Sequence, residues 1–393
     1  MKIVLAHNFY QQPGGEDQVY AQERQLLESR GHKVVTYVRS NDELRKASPW
    51  KKVLWPKRMI WSGDSHRQIR ELLHKEKPDI VHVHNTFTQI SPSIFAACGE
   101  AGIPVVQTLH NFRLLCPAAT FFRDGKVCEE CRDFGLWRGI RHACYRQSTV
   151  ATAAVATMLT AHRTARTWVE KVTGFIALTQ FARRKFSESG LSPEKIHVKP
   201  NFVFPDPGER RASGEGAVYV GRLSPEKGVK TLLLAWAQVR SPLPLRIIGD
   251  GPLRRELELI KSRLDLSYVS FLGHLSRQEV QAAIKSARFL LLPSECYENF
   301  PLTSVEAFSC GTPIVCSRLG AMQEIVTDGV TGLHFIPGTA TDLAEKVEWT
   351  YSHSRQVEEM GKAARREFEQ KYTADHNYQT LMDIYQHAKS ASC

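Results

Sequence analysis

This chain lacks a long charge-free apolar run. The best candidate, Gln147–Ala161, is short and rich in Thr and Ala, whereas a bilayer span needs roughly 20 apolar residues, so no transmembrane helix is expected. A leader pattern is also missing: MKIVLAHNF holds one Lys, a four-residue apolar run and then polar residues, which predicts a strand and not a signal peptide. Acidic residues are scarce in one half only. Residues 1–203 hold 18 Asp and Glu against 30 Lys and Arg, and residues 204–393 hold 23 against 22. The whole excess of a chain with formal net charge +11 therefore sits in the first half. That asymmetry suggests a lobe that meets an anionic partner: nucleic acid, an acidic lipid surface or a phosphorylated substrate. An even cysteine count is absent too. Nine cysteines, with Cys98, Cys296, Cys310 and Cys316 in apolar contexts, fit a reducing cytosol better than secretion.

What is present is a globular composition, 42% hydrophobic and 24% charged, which excludes a disordered or collagen-like chain. A length of 393 residues exceeds what one core usually serves, so two domains are expected. Near-continuous apolar runs at Lys2–Ala6, Lys33–Val38, Asp79–Val83, Val105–Leu109 and Phe175–Leu178 read as parallel strands buried on both faces. Helices are expected over Glu16–Arg30 and from Gln180. Phe204–Gly216, with two Pro, three Gly and five charges, reads as a linker. The alternation then restarts. Strands are expected at Ala217–Gly221, Leu245–Ile248, Val269–Leu272, Phe289–Leu292 and Pro313–Cys316. Helices are expected near Lys230–Val239, Leu253–Ser262, Arg277–Ser286 and Pro301–Cys310, and the tail Ser354–Lys389 reads as helical. The pattern implies two doubly wound α/β domains in tandem: 1–203 with a Cys-rich insertion at 113–146, a linker at 204–216, a second domain at 217–372, and a last helix at 373–393 that could pack on the first domain.

Three sets of residues suit a nucleotide diphosphate. In Pro13-Gly14-Gly15-Glu16 the glycines let backbone approach a ligand at a helix N-terminus; an ordinary turn is the alternative. Arg222 stands at a strand end and Lys227 at the mouth of the next helix, so the two cations could neutralise a diphosphate, or simply decorate a solvated turn. Glu298 falls in a loop and Glu306 on the apolar helix that Pro301 opens. A carboxylate can take two hydrogen bonds from a ribose diol, and Glu306 needs a partner because an unpaired buried charge is costly. A capping acid and an internal ion pair are the alternatives.

With Asp79–His84, Thr108-Leu109-His110 and the run Ala307-Phe308-Ser309-Cys310-Gly311-Thr312-Pro313, this constellation resembles the retaining nucleotide-sugar glycosyltransferases of glycosyltransferase family 4. The resemblance covers nearly the whole chain. It implies the GT-B fold, two Rossmann-like domains around a cleft. It implies that Gly14 and Gly15 approach the donor diphosphate or sugar, and that Arg222 and Lys227 bind the diphosphate. Glu298, with the backbone amides of Asn299, Phe300, Pro301 and Leu302, would hold the donor sugar hydroxyls. Glu306 would hold the ribose, and His110 would position the reacting sugar near its 6-position. It further implies a UDP- or GDP-sugar donor, same-face substitution without a covalent intermediate, and no catalytic metal. Two positions depart from the family: Phe202 follows Asn201 where a Gly is common, and Arg318-Leu319-Gly320-Ala321 stands where many members have two glycines. Both bear on sugar identity.

Cys116, Cys128, Cys131 and Cys144 include one two-residue gap of the metal-knuckle kind, and His142 could replace one of them. A structural zinc, a disulfide and free thiols are the three readings, and some relatives carry a similar insertion. Arg45–Trp61 holds six Lys or Arg, no acid, and Trp50, Trp55 and Trp61. Basic residues interleaved with Trp suit an anionic membrane surface; a solvated loop with packed indoles is the alternative. The expected protein is a cytoplasmic glycosyltransferase, peripherally held at the inner face of the plasma membrane. It would extend a saccharide or a lipid-linked (polyprenyl-linked) glycan in cell-surface polysaccharide or glycolipid synthesis, without nucleic acid. A nucleotide-sugar epimerase of the same fold and a non-enzymatic nucleic-acid binder are the competing readings.

Overall fold

The computed structural model describes residues 1–12, 14–45, 55–210, 214–240 and 243–391. It divides into two compact units, each built on a parallel sheet. The first comprises Met1–Phe121, Cys128–Pro200 and Asp375–Cys393; the second comprises Phe122–Val127 and Asn201–Ala374.

In the first unit the strands are β1 (Lys2–Phe9), β2 (Lys33–Ser40), β3 (Ile80–Val83) and β4 (Val105–Thr108). After a two-stranded hairpin of β5 (Phe122–Arg123) and β6 (Lys126–Val127), which is grouped with the second unit, come β7 (Gly174–Ala177) and β8 (Ile196–Val198) of the first. The sheet order is β2-β1-β3-β4-β7-β8, with Ile3 opposite both Val34 and Ile80. Central strands are buried on both faces, which is why they read as unbroken apolar runs. The helix Ala374–Ser390 belongs to this unit: Leu381, Ile384, Tyr385 and Ala388 share a core with Ile3, Leu5, Tyr20, Ile80 and Ile176.

The second sheet comprises β9 (Ala217–Val220), β10 (Leu245–Ile248), β11 (Val269–Gly273), β12 (Phe289–Leu292), β13 (Ile314–Ser317) and β14 (Gly332–Phe335). Its order is β11-β10-β9-β12-β13-β14. Its core gathers around Trp236, whose indole N–H donates to the Leu243 carbonyl at 2.9 Å. In doubly wound sheets the ligand crevice opens beyond the carboxyl ends of the two strands where the order reverses. That point falls between β1 and β3 in the first unit and between β9 and β12 in the second.

Three local expectations need revision. The short strands β8 and β14 carry too few residues for a periodic signal. The tail is two helices, Ser354–Lys371 and Ala374–Ser390; Tyr372 between them is buried against Phe300 and Phe308, which ends the first helix. Residues 204–210, expected in a linker, are held by side chains of the second unit. Arg365 forks onto Asp206 at 2.9 and 2.8 Å, and Arg277 donates to the Phe204 carbonyl at 2.9 Å.

Candidate functional site

The switch point of the second unit is where its charges gather. The turn after β9 is pinned by Tyr219 Oη, which donates to the Arg222 carbonyl at 2.9 Å. Gly228 ends it with φ +65°, and a Cβ there would lie 1.9 Å from the Pro293 carbonyl oxygen. Only glycine lets this turn rest against the loop after β12. The close approach delivers Lys227 to that loop: its Nζ donates to Glu298 Oε1 at 2.5 Å, and Ser294 Oγ donates to the same oxygen at 2.5 Å. Burial alone would raise the Glu298 carboxyl, but the Lys227 ammonium and the Ser294 hydroxyl hold it below the ordinary value. Burial would likewise lower Lys227, and the Glu298 charge outweighs it, so Lys227 stays protonated. The two residues expected to grip different parts of one donor thus hold each other here.

Arg222 is exposed and makes no ion pair among the described residues. Glu306 lies on the helix Leu302–Ser309 and is 4% exposed. Its carboxyl has no hydrogen-bond or ion-pair partner among the described residues; burial, opposed by the charge of Arg277, pushes it up to about 7. The internal ion pair that would have explained a buried Glu is not formed among the described residues. Leu302 opens the helix after Pro301, and since Pro301 has no N–H, only Asn299, Phe300 and Leu302 of that run can donate backbone amides. Asn201 Nδ2 donates to the Phe300 carbonyl at 3.0 Å and so fixes the loop, while Phe202 is a buried core residue.

In the first unit Gly14 caps the helix Gly15–Ser29, its N–H donating to Asp17 Oδ2 at 2.8 Å. A Cβ on Gly14 would meet nothing within 4 Å, so the unit's own packing does not require glycine there. Pro13 lies outside the described residues. His110 follows β4 and lines a cavity with Tyr10, Asn85, Asn111, Arg113 and Trp168. Its Nε2 lies 3.0 Å from His84 Nδ1.

The sequence reading passed over Glu16. Asn85 Nδ2 donates to its Oε1 at 2.8 Å and Asn111 Nδ2 to its Oε2 at 3.2 Å. Burial first and the neighbouring Asp17 second push it up to about 8. The signal was in view, since Glu16 completes the Gly-Gly-Glu turn from which only the glycines were taken. Also passed over was Glu23, which with His82 and His84 is the one trio among the described residues whose ligand atoms lie within 4.8 Å of one another in metal-binding fashion. A cation is already there: Lys199 Nζ donates to Glu23 Oε2 at 2.8 Å.

Of the four insertion cysteines, Cys116 and Cys131 are buried and Cys128 and Cys144 half-buried, and no disulfide joins them. Burial, then the charges of Cys116, Cys144 and Cys128, push the Cys131 thiol up to about 12. Burial raises the Cys116 thiol, and the backbone N–H groups of Phe121, Ala118 and Ala119 oppose this only in part. No three of the four sulfurs lie mutually within 4.8 Å, whereas tetrahedral zinc with bonds of about 2.3 Å needs sulfurs about 3.8 Å apart. The donor chemistry fits zinc; the spacing would have to tighten. In the basic stretch, residues 46–54 with Trp50 lie outside the described residues. Trp55 Nε1 donates to Thr88 Oγ1 at 3.2 Å, and Trp61 is 47% exposed. No described helix is long and apolar enough to cross a membrane.

Comparison with known proteins bears on this geometry. Residues 13–206 match the family model described as Glycosyltransferase Family 4, and residues 208–367 match the one described as Glycosyl transferases group 1. An uncharacterized glycosyltransferase of Methanocaldococcus jannaschii is 29% identical over 169 residues, 43% of this chain and 47% of that protein. The sulfoquinovosyl transferase of Arabidopsis thaliana is 28% identical over 319 residues, 78% of this chain and 56% of that protein. The chain thus spans about half the length of these curated relatives. The crystal structure of Anabaena HepE in complex with UDP and glucose superposes with a TM-score of 0.71 at 18% identity, covering 98% of this chain and 99% of that one; at that identity the likeness concerns the fold.

Proposed function

Because the chain belongs to the glycosyltransferases of family 4, with their GT-B fold, we propose that it moves a hexosyl group from a UDP- or GDP-sugar to a hydroxyl of a saccharide or lipid-linked glycan. The reaction proceeds with retention and without a catalytic metal. The observation that carries the reading is Glu306: a carboxyl 4% exposed and unpartnered among the described residues, in the helix that follows the Lys227–Glu298 loop. Burying such a group without a donor costs free energy that a ribose diol would return. Arg222 and Lys227 then stabilise the negative charge that builds on the leaving diphosphate. Glu298, tied to Lys227 and Ser294, takes sugar hydroxyls and is no nucleophile, and Gly14, Gly15 and His110 serve the sugar from the first unit. The family matches favour neither the epimerase nor the nucleic-acid reading.

Two finer readings belong here. Cys116, Cys128, Cys131 and Cys144 hold a structural zinc; metal analysis of purified protein showing no zinc would remove it. Arg45–Trp61 holds the protein peripherally on an anionic membrane surface at the cytoplasmic face; binding to anionic vesicles that is absent, or insensitive to salt, would remove that.

The deciding experiment is a thermal-shift panel with UDP, GDP, ADP, CMP and NAD, with and without EDTA. A ligand at 100 times its Kd stabilises the native state by about 2.7 kcal/mol. Stabilisation by UDP or GDP that persists in EDTA and is lost in Glu306→Ala supports the reading and names the base. Stabilisation by none of the five overturns it.

A further inference from the structure

The first unit holds a buried chain of titratable groups that the reaction as described does not use. Lys199, 2% exposed, donates from Nζ to Glu23 Oε2 at 2.8 Å and to Asn377 Oδ1 at 3.2 Å, and Asn377 Nδ2 donates onward to the Pro200 carbonyl at 2.9 Å. The other oxygen, Glu23 Oε1, lies 2.9 Å from His82 Nδ1 and 3.1 Å from His84 Nε2. His84 Nδ1 in turn lies 3.0 Å from His110 Nε2, with the two rings only 19° from parallel. His82 is closed off by Thr108 Oγ1 at 2.7 Å on Nε2 and by Tyr385 Oη at 2.8 Å on Nδ1. Asn377 and Tyr385 come from the last helix, which places that helix in the chain of contacts.

Proton positions along this line follow from donor and acceptor capacity. An ionised carboxylate can only accept. Burial would raise Glu23, but Lys199 and the two histidines hold it well below the ordinary value, so it is a carboxylate. His84 Nε2 must therefore carry a hydrogen. Burial, then His82, push His84 down to about 3 against the pull of Glu23. It is neutral, and its Nδ1 is a bare acceptor. His110 must then donate from Nε2. Burial, His84 and His7 hold His110 well below its ordinary value as well. With one hydrogen, already on Nε2, the only polar atom His110 has left for the cavity is an unprotonated Nδ1.

We propose that Lys199, Glu23 and His84 are positioning residues that lock His110 in the Nε2–H tautomer, so that the cavity offers a hydrogen-bond acceptor and takes a sugar hydroxyl, not a carboxylate or carbonyl, at that point. The tautomer lock stands on the first unit alone; its consequence for turnover rests on the transferase reading.

Glu23→Gln tests it with a specific inversion. Lys199 can only donate, so it orients the amide with its oxygen toward Nζ. The amide NH2 then faces His82 and His84 and donates to both. His84 must move its hydrogen to Nδ1, and His110 must accept at Nε2 and carry its hydrogen on Nδ1. The cavity then meets a donor instead of an acceptor.

The measurement is a long-range proton–nitrogen correlation spectrum of histidine-labelled protein, with His110→Asn used to assign the His110 signals. Native protein should show His110 unprotonated at Nδ1 from pH 6 to 8, and Glu23→Gln should show it protonated there. With the nucleotide sugar that the native enzyme uses, kcat/KM should fall at least tenfold in Glu23→Gln, while the affinity for the nucleoside diphosphate stays unchanged. A native His110 protonated at Nδ1, or a folded Glu23→Gln protein with the native tautomer, overturns the lock. If Glu23→Gln does not fold, the native spectrum decides alone. Correct tautomers in a protein that binds no nucleotide would leave the lock standing and remove the transferase reading.

Discussion

In the second unit the groups at the strand ends are one tight pair, Lys227 and Glu298, beside Arg222 and Glu306, which make no ion pair among the described residues. In the first unit the matching region holds Lys199, Glu23, His84 and His110 bonded in turn, with His82 on the same Glu23 carboxylate, and nearly all are fully buried. Both regions sit where a parallel sheet reverses its strand order, yet one leaves charge available to a ligand and the other spends its hydrogen-bonding capacity internally. A buried carboxyl left without a partner, as Glu306 is, is pushed up by burial and stays open to a ligand. A group that must hold another side chain in one orientation has to be satisfied on every side.

The largest expected effect would break the first unit. Glu23→Ala leaves the Lys199 ammonium buried without its carboxylate and should cost about 3–5 kcal/mol, read as a lowered midpoint in urea unfolding. An unchanged midpoint would mean that water replaces the carboxylate and that the core is looser than the geometry indicates. Next comes Lys227→Ala in the second unit. If Lys227 faces the leaving diphosphate as proposed, its removal should lower kcat/KM about 100- to 1,000-fold, measured by sugar transfer or, without an acceptor, by donor hydrolysis. A tenfold loss or less would place the diphosphate elsewhere.

A smaller effect sharpens the contrast between the two carboxylates. Glu306 ionises near pH 7 in the free protein, and a ribose diol binds only the ionised form. Ligand binding therefore releases a proton, and nucleotide affinity should rise about tenfold from pH 6 to pH 8. Glu306→Gln should lose that slope, and the difference between the two pH profiles isolates it from titration of the nucleotide itself. The smallest expected change concerns Gly14→Ala. With nothing within 4 Å of the new Cβ and an extended backbone there, stability should move by less than about 0.5 kcal/mol, while kcat/KM falls because the methyl occupies space meant for the donor. Equal activity would return Gly14 to the status of an ordinary turn residue.

Legibility in the sequence followed the same divide. The second unit's candidate residues could be picked out because they lie close in the chain, on short loops after recognisable strands, and because Pro301 marks the helix that carries Glu306. What could not be read was the Lys227–Glu298 pairing across 71 residues, which depends on Gly228 letting two backbones touch. In the first unit His110 was singled out by resemblance alone. Glu16, Glu23 and Lys199 drew no notice, since a lone Glu or Lys on an amphipathic helix or strand end looks like solvated surface. Glu23 and Lys199 are 176 positions apart, and no periodicity links them.

Element type and its place along the chain were therefore set by local pattern: apolar runs buried on both faces, glycine at tight turns, proline at a helix start. These are short-range steric and solvation effects that each segment carries with it. Protonation, pairing and accessibility were decided only by the folded chain. The field at a carboxyl or an imidazole comes from whichever groups the sheet brings within a few ångströms, whatever their distance in sequence. Glu23 became a held carboxylate and Glu306 an open one because a lysine reaches the first, and among the described residues no hydrogen bond or ion pair reaches the second.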